Sequence, residues 1–324
     1  MPVSGKSQSV KAAILLVAAT FFWAASFPVM KALGQCQDAL APGVNTLFLT
    51  AVSLSARFGL SALVLAVWLW RKPGRFTRLE LWQGIGLGFF GGLGILCQMD
   101  GVMRIPASTS AFLTQCYCIF VPVCVACHRR EWPSRVLVLS CLMVLVGVAV
   151  LAGVRFTQFH LSRGEAETIL ASLFFTGQIL WLERPGFAGN RAAPVTLVMF
   201  VFVALLVLPV AIVTARAPDE WRGVYRSGPA VLLTVFLALA CTLAPYTLMN
   251  FWQQKLPSAQ ASLIYAAEPL LTSVFALFLP AWLSGFASVN YANEVIGWNL
   301  LIGGGLVIGA NLLILCRQPP NLPA

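Results

Sequence analysis

Two charged side chains sit deep inside apolar sequence, and they are where chemistry is expected. Arg57 lies near the middle of an apolar run over residues 47–70, and Thr50, Ser53, Arg57 and Ser61 recur at helical spacing to draw one polar face. An arginine at the centre of a membrane-embedded helix costs about 2.5–3.5 kcal/mol to insert, so it must face protein or water and take a partner. It reads either as an anchor for an anionic substrate group or as a structural arginine bonded to backbone carbonyls or snorkelling. Glu268 is its counterpart, directly before Pro269 in a later run, where Ser258, Ser262 (or Ala261), Tyr265, Glu268 and Thr272 step by three or four. A carboxyl poised between its two protonation states carries a proton; the plainer reading is a neutral or Arg57-paired glutamate that fixes packing.

Other polar and aromatic residues extend these faces. Thr242, Tyr246, Asn250 and Gln253 follow i, i+4, i+8 and i+11, with Pro245 beside them. Trp23, Ser26 and Phe27 are candidates for a cavity wall, and Gln178 with Trp181 occupies the corresponding stretch of a later run. Pro28, Pro245 and Pro269 are candidate helix kinks, because each removes a backbone hydrogen bond that a neighbouring group must replace.

Several motifs resolve into packing. Gly86-Leu87-Gly88-Phe89-Phe90-Gly91 fits the dinucleotide pattern, but it lies inside an apolar run with no preceding strand. Gly84, Gly88 and Gly92 instead align on one helix face, as close helix–helix approach requires, and Gly305 with Gly309 reads the same way. Cys124-Val125-Ala126-Cys127-His128 fits the haem-attachment pattern, yet the other histidine, His160, falls in a loop expected on the opposite side. No metal site and no cofactor are expected, and no G-x-x-x-x-G-K-[ST] loop occurs to bind a nucleotide.

The elements that must position these residues are membrane helices. Of 324 residues, 59% are hydrophobic and 10% are charged, against roughly 45–50% and about 25% in soluble domains. Apolar blocks long enough to cross a core about 30 Å thick recur along the chain. They predict ten helices over 12–33, 47–70, 82–103, 106–127, 134–154, 165–183, 193–215, 228–250, 258–282 and 295–316. The seventh run lacks a polar stripe and is expected to be scaffold facing lipid. This composition excludes a soluble enzyme, a disordered chain and a disulfide-stapled secreted domain. The nine cysteines behave as small hydrophobes, and the first run is too long and polar-tailed for a cleavable signal peptide.

The net charge of +10 reports topology rather than a nucleic-acid partner. With the N-terminus inside, thirteen Lys and Arg residues fall in inner loops and tails and seven in outer ones. Both termini are therefore expected in the cytoplasm. Arg104-Ile105-Pro106-Ala107-Ser108-Thr109-Ser110-Ala111 opens the fourth run, and Lys255-Leu256-Pro257-Ser258-Ala259-Gln260-Ala261-Ser262 opens the ninth, 151 residues on. Five helices per half is an odd number, so the second copy must be inverted, an architecture that places substrate between the halves. The fold class expected is an all-α polytopic membrane protein, ten helices in two inverted five-helix repeats. The tail 1–11 is followed by repeats over 12–157 and 158–316 and a tail over 317–324.

Over residues 12–316 the chain resembles the EamA-type branch of the drug/metabolite transporter superfamily. The marks are Phe22-Trp23-Ala24-Ala25-Ser26-Phe27-Pro28 with Lys31 and Arg57, then Pro106-Ala107-Ser108, Val121-Pro122 and Arg130-Glu131. Pro257 to Ser262, Tyr265-Ala266-Ala267-Glu268-Pro269 and Gly-rich closing helices around Gly147 and Gly303 to Gly309 follow. The resemblance puts the first-helix motif at Trp23. The family usually ends its ninth helix in a short loop containing Gly-Glu-Arg; here Leu283 to Glu294 is longer and lacks that triplet, so no lid role carries over. What the resemblance implies is a secondary carrier in the bacterial inner membrane. It would export small metabolites, amino acids or related amphiphiles, by alternating access, with Glu268 the group that would couple transport to protons. An uncoupled facilitator is the alternative, as is a carrier of nucleotide sugars or phosphorylated metabolites, which a single intramembrane arginine disfavours. A polytopic enzyme is least expected, since eleven acidic residues and two histidines form no cluster. The partners expected are a small-molecule substrate and the lipid bilayer, with a homodimer through the tenth helix a further option and no nucleic acid.

Overall fold

The computed structural model describes residues 3–70, 74–130, 134–151, 161–182, 184–255 and 264–317. Among them every regular element is helical. The first six are α1 (Val3–Leu40), α2 (Thr46–Trp70), α3 (Arg78–Arg104), α4 (Ala107–Thr114), α5 (Tyr117–Arg129) and α6 (Arg135–Leu151). There follow α7 (Arg163–Leu182), α8 (Ala192–Thr214), α9 (Pro218–Gly223), α10 (Gly228–Ala238) and α11 (Ala244–Trp252). The last are α12 (Glu268–Ala276), α13 (Leu279–Ala287) and α14 (Trp298–Arg317). Among the described residues six helical segments are long and apolar enough to cross a membrane, seven if α12 and α13, bent by 57° at their junction, make one broken span. The chain is a polytopic membrane protein. The stretch expected as an N-terminal tail is helical from Val3 onward.

Three runs expected to be continuous helices are interrupted. α4 and α5 part at a turn over Gln115 and Cys116, and another turn at Ala266 and Ala267 precedes α12. The two breaks are 151 residues apart, the same offset that relates the Arg104 and Lys255 motifs. The rest of the second motif, 256–263, lies outside the described residues, as do Ser258, Ala261 and Ser262 of the polar stripe. Between α10 and α11 the helix widens into a π-turn at Leu239–Leu243, one turn ahead of Pro245.

Packing joins helices across the chain. α2 and α3 both pack on α8, α3 also on α7, α4 on α12, and α6 on α14. The glycine row works as expected: a Cβ on Gly84 would lie 2.6 Å from Val198 Cβ, and one on Gly88 2.9 Å from Phe202, both on α8. A second glycine face of α3 meets α7, where Gly94 abuts Phe175 and Gly101 abuts Thr168. For the tenth run the expectation needs correcting. Gly305 faces open space, whereas Gly309 meets Met143, and Gly303 and Gly147 meet backbone to backbone, the carbonyl oxygen of each within 2.9 Å of the other's would-be Cβ. The α6–α14 pair has only small buried clusters of its own, around Ile119, Val144 and Val307. The main core gathers Phe27, Met30, Phe48, Phe58, Met199 and Phe200.

The start of α3 is fixed by a capping box. Thr77 Oγ1 accepts from the Glu80 N–H and Glu80 Oε2 accepts from the Thr77 N–H. The same buried carboxylate takes Arg191 Nε at 2.7 Å, tying the starts of α3 and α8 together, and it raises the pKa of that guanidinium. Outward faces are apolar: Leu63, Val67, Leu205, Ile212, Val213 and Leu301 are exposed, the surface a bilayer would cover. The seventh run, α8, thus turns one apolar face outward and packs its other face against α2 and α3.

Candidate functional site

Helices from both ends of the sequence enclose a cavity of about 90 Å³. α1 supplies Trp23, Ser26 and Phe27, α2 supplies Arg57, and α3 supplies Gln98. Thr114 and Tyr117 flank the α4–α5 break, and α7 contributes Phe175 and Gln178. Tyr246 of α11, Gln253 just beyond it, and Tyr265 and Glu268 around the second break complete the wall.

Arg57 is held by the opened helix opposite. Pro245 has no N–H, so the carbonyl of Cys241, four residues earlier, is released from the helical ladder. Arg57 Nη2 donates to that carbonyl at 2.9 Å, and Nε donates to Thr242 Oγ1. Nη1 lies 3.3 Å from Met30 Sδ. One turn on, Ser61 Oγ is 2.8 Å from the carbonyls of both Arg57 and Ala238. The guanidinium, 2% exposed, is therefore a strut between α2 and the π-turn, which the carbonyl-bonded reading anticipated.

Glu268 opens α12, where the positive end of the helix favours a carboxylate. Its Oε2 accepts from Gln115 Nε2 at 3.2 Å, and the same amide nitrogen is 3.3 Å from the Tyr265 carbonyl. The expected pairing with Arg57 is absent: no cation stands within 4 Å of Glu268 among the described residues. Aromatic rings crowd the same wall. Trp23 makes edge contacts with Tyr246 at 5.4 Å and Tyr265 at 5.7 Å between centroids. Tyr265 donates its hydroxyl to Gln253 Oε1 at 3.0 Å. Gln178 Nε2 is buried without a hydrogen-bond partner.

Leu182 and Gln253 of the cavity wall stand close in sequence to Arg184 and Lys255. Where α3 ends and α4 begins, Lys31 Nζ donates to the Ile105 carbonyl at 2.7 Å. Glu294 accepts from the Ala107 N–H at 2.6 Å and from Ser108 Oγ, capping α4 from a distant loop. Arg163 bridges Asp100 at 2.8 Å and Glu167 at 2.6 Å. Tyr291, buried beside Lys31, has its phenol pKa pushed up by burial and then by Glu294.

Residues 10–153 match the model of the EamA-like transporter family, a family of the drug/metabolite transporter superfamily. Over those residues the chain is similar to that family. One solved crystal structure of a protein, 17% identical, superposes with a TM-score of 0.58 across 95% of this chain and 96% of that one. At that identity the likeness speaks for the fold alone, and it extends well past residue 153. No curated protein matches. The EamA-like match supports a membrane transporter rather than an enzyme.

In this EamA-like chain eight of the nine sequence candidates line one cavity: Trp23, Ser26, Phe27, Arg57, Gln178, Tyr246, Tyr265 and Glu268. Asn250 does not. It is buried and donates to Thr196 Oγ1 of α8 at 2.8 Å. Of the prolines, Pro28 lies within a continuous α1, Pro245 follows the π-turn and Pro269 opens α12. Gln115 is the residue missed. An amide in the middle of an otherwise apolar run was the available signal, and the break at 115–116 turns it onto Glu268. Glu294 was also passed over, lying in the loop to which no role carried over.

Proposed function

We propose that this protein is a secondary carrier that moves a small amphiphilic metabolite, such as an amino acid, out of the cell by alternating access. Ten spans form two inverted halves in the inner membrane, with both termini in the cytoplasm. The observation that carries the reading is the cavity, where Arg57 and Glu268, from opposite halves, share one wall system with the aromatic residues. The equal 151-residue offsets of the motifs and of the helix breaks support the two-repeat arrangement. So does the pairing of the second run with the seventh, the fourth with the ninth and the fifth with the tenth, with the third on the sixth mirrored by the first on the eighth. Phosphorylated substrates fit poorly, because the one cavity arginine already serves the π-turn.

The test is efflux from liposomes loaded with a mixed metabolite pool, read by mass spectrometry with and without a pH gradient. Saturable, gradient-driven efflux by the wild type that Glu268→Gln uncouples is the expected result. Efflux indifferent to both gradient and substitution makes the protein a facilitator and returns Glu268 to packing.

A further inference from the structure

A carboxylate taken out of water must be neutralised by a proton or matched by a cation. The cation nearest to hand in the fold is Arg57, and its guanidinium is committed to the Cys241 carbonyl, Thr242 and Met30. Among the described residues Glu268 is left with one neutral donor, the Gln115 amide, and an aspect onto the cavity. The rings of Trp23, Tyr246 and Tyr265 share that cavity, and aromatic faces attract cations most strongly where water is excluded. From these features we infer that the cavity selects substrates by an ammonium group, which Glu268 takes in exchange for a proton.

The step balances without any further reactant. The carboxylic acid of Glu268 releases its proton to water as the alkylammonium enters, and the resulting carboxylate pairs with the R–NH3+ group among the three rings. On exit the proton returns. Titratable neighbours facing Glu268 are Tyr117 and Cys118 from α5, Tyr246 from α11 and Tyr265 from the preceding turn. α4 and α13, also packed nearby, carry no titratable side chain, and Lys31 of α1 is turned to the Ile105 carbonyl. None of these is a competing cation. The inference rests on the carrier reading for its site, and it adds the chemical class of the cargo: small organic amines in preference to acids, alcohols or phosphates.

Calorimetry on the purified full chain tests it with three matched probes: phenethylammonium, 3-phenylpropionate and 2-phenylethanol. Only the amine is expected to bind, releasing close to one proton per molecule in the acid range. Its affinity should fall about tenfold for each unit that the pH drops there, since one proton competes for the site. Glu268→Gln should lose amine binding and the proton release while melting near the wild-type temperature. Trp23→Leu, which keeps the carboxylate, should weaken the amine about tenfold. Equal binding of acid or alcohol, amine binding without proton release between about pH 5 and pH 9, undiminished binding by Glu268→Gln, or no binding of any probe overturns the inference. The same probes in liposomes separate it from the carrier reading. Saturable flux without amine preference would leave a carrier and remove the ammonium rule.

Discussion

Charges in apolar sequence were the legible part of the site, because a bilayer tolerates Arg57 and Glu268 only if the fold gives each a reason. What the sequence left open was which reason. Arg57 and Glu268 read as potential partners of each other, yet the arginine is spent on a carbonyl that Pro245 released. That carbonyl appears only once the helix has widened, so no spacing rule reveals it. Asn250 shared a stripe with Tyr246 and still bonds Thr196 on α8 instead of lining the cavity. Arg57→Gln is therefore expected to act first on stability. It strips charge-assisted bonds from two acceptors on the opposite helix and should cost about 2 kcal/mol. A lowered melting temperature in detergent, with amine affinity changed less than by Glu268→Gln, is the outcome to look for. An unaltered melt together with abolished binding would make Arg57 a ligand-binding group instead.

At the level of elements, hydrophobic blocks located nearly every helix, but they were blind to interruptions. The turns at Gln115–Cys116 and Ala266–Ala267 fall inside runs that are long and apolar enough to read as single spans, so block length alone merges the pieces. Glycine rows proved more informative where they recur on one face. Gly84 approaches the α8 backbone, with its would-be Cβ 2.9 Å from the Val195 carbonyl oxygen and 2.6 Å from Val198 Cβ, whereas Gly305 meets nothing within 4 Å. Gly84→Val should force α3 and α8 apart and cost about 1–3 kcal/mol, seen as lost monodisperse protein on size exclusion. Gly305→Val should leave that profile intact. If both substitutions behave alike, the glycine row does not set the α3–α8 distance.

For the whole molecule, contacts between parts distant in sequence tie together the end of the bundle where α3 gives way to α4. Glu294 caps α4 across 187 residues of chain, meeting the Ala107 N–H and Ser108, and Lys31 and the Asp100–Arg163–Glu167 cluster lie at the same end. Under the alternating access proposed above, this end must open when the other closes, so bonds made only here hold the population in the present conformation. A charged cap on exposed helix N–H groups contributes about 1–2 kcal/mol. Its removal in Glu294→Ala should shift the equilibrium about tenfold toward the conformation open at the Glu294 end. A cysteine introduced at Phe27, with native cysteines replaced, reads the shift through a membrane-impermeant maleimide. Labelling from the Glu294 side should rise several-fold on Glu294→Ala, and labelling from the Lys255 side should fall. Labelling that rises equally from both sides would mean that the cap holds the fold together rather than choosing which end is shut. Labelling unchanged from either side would mean that Lys31 and the arginine cluster close that end without it.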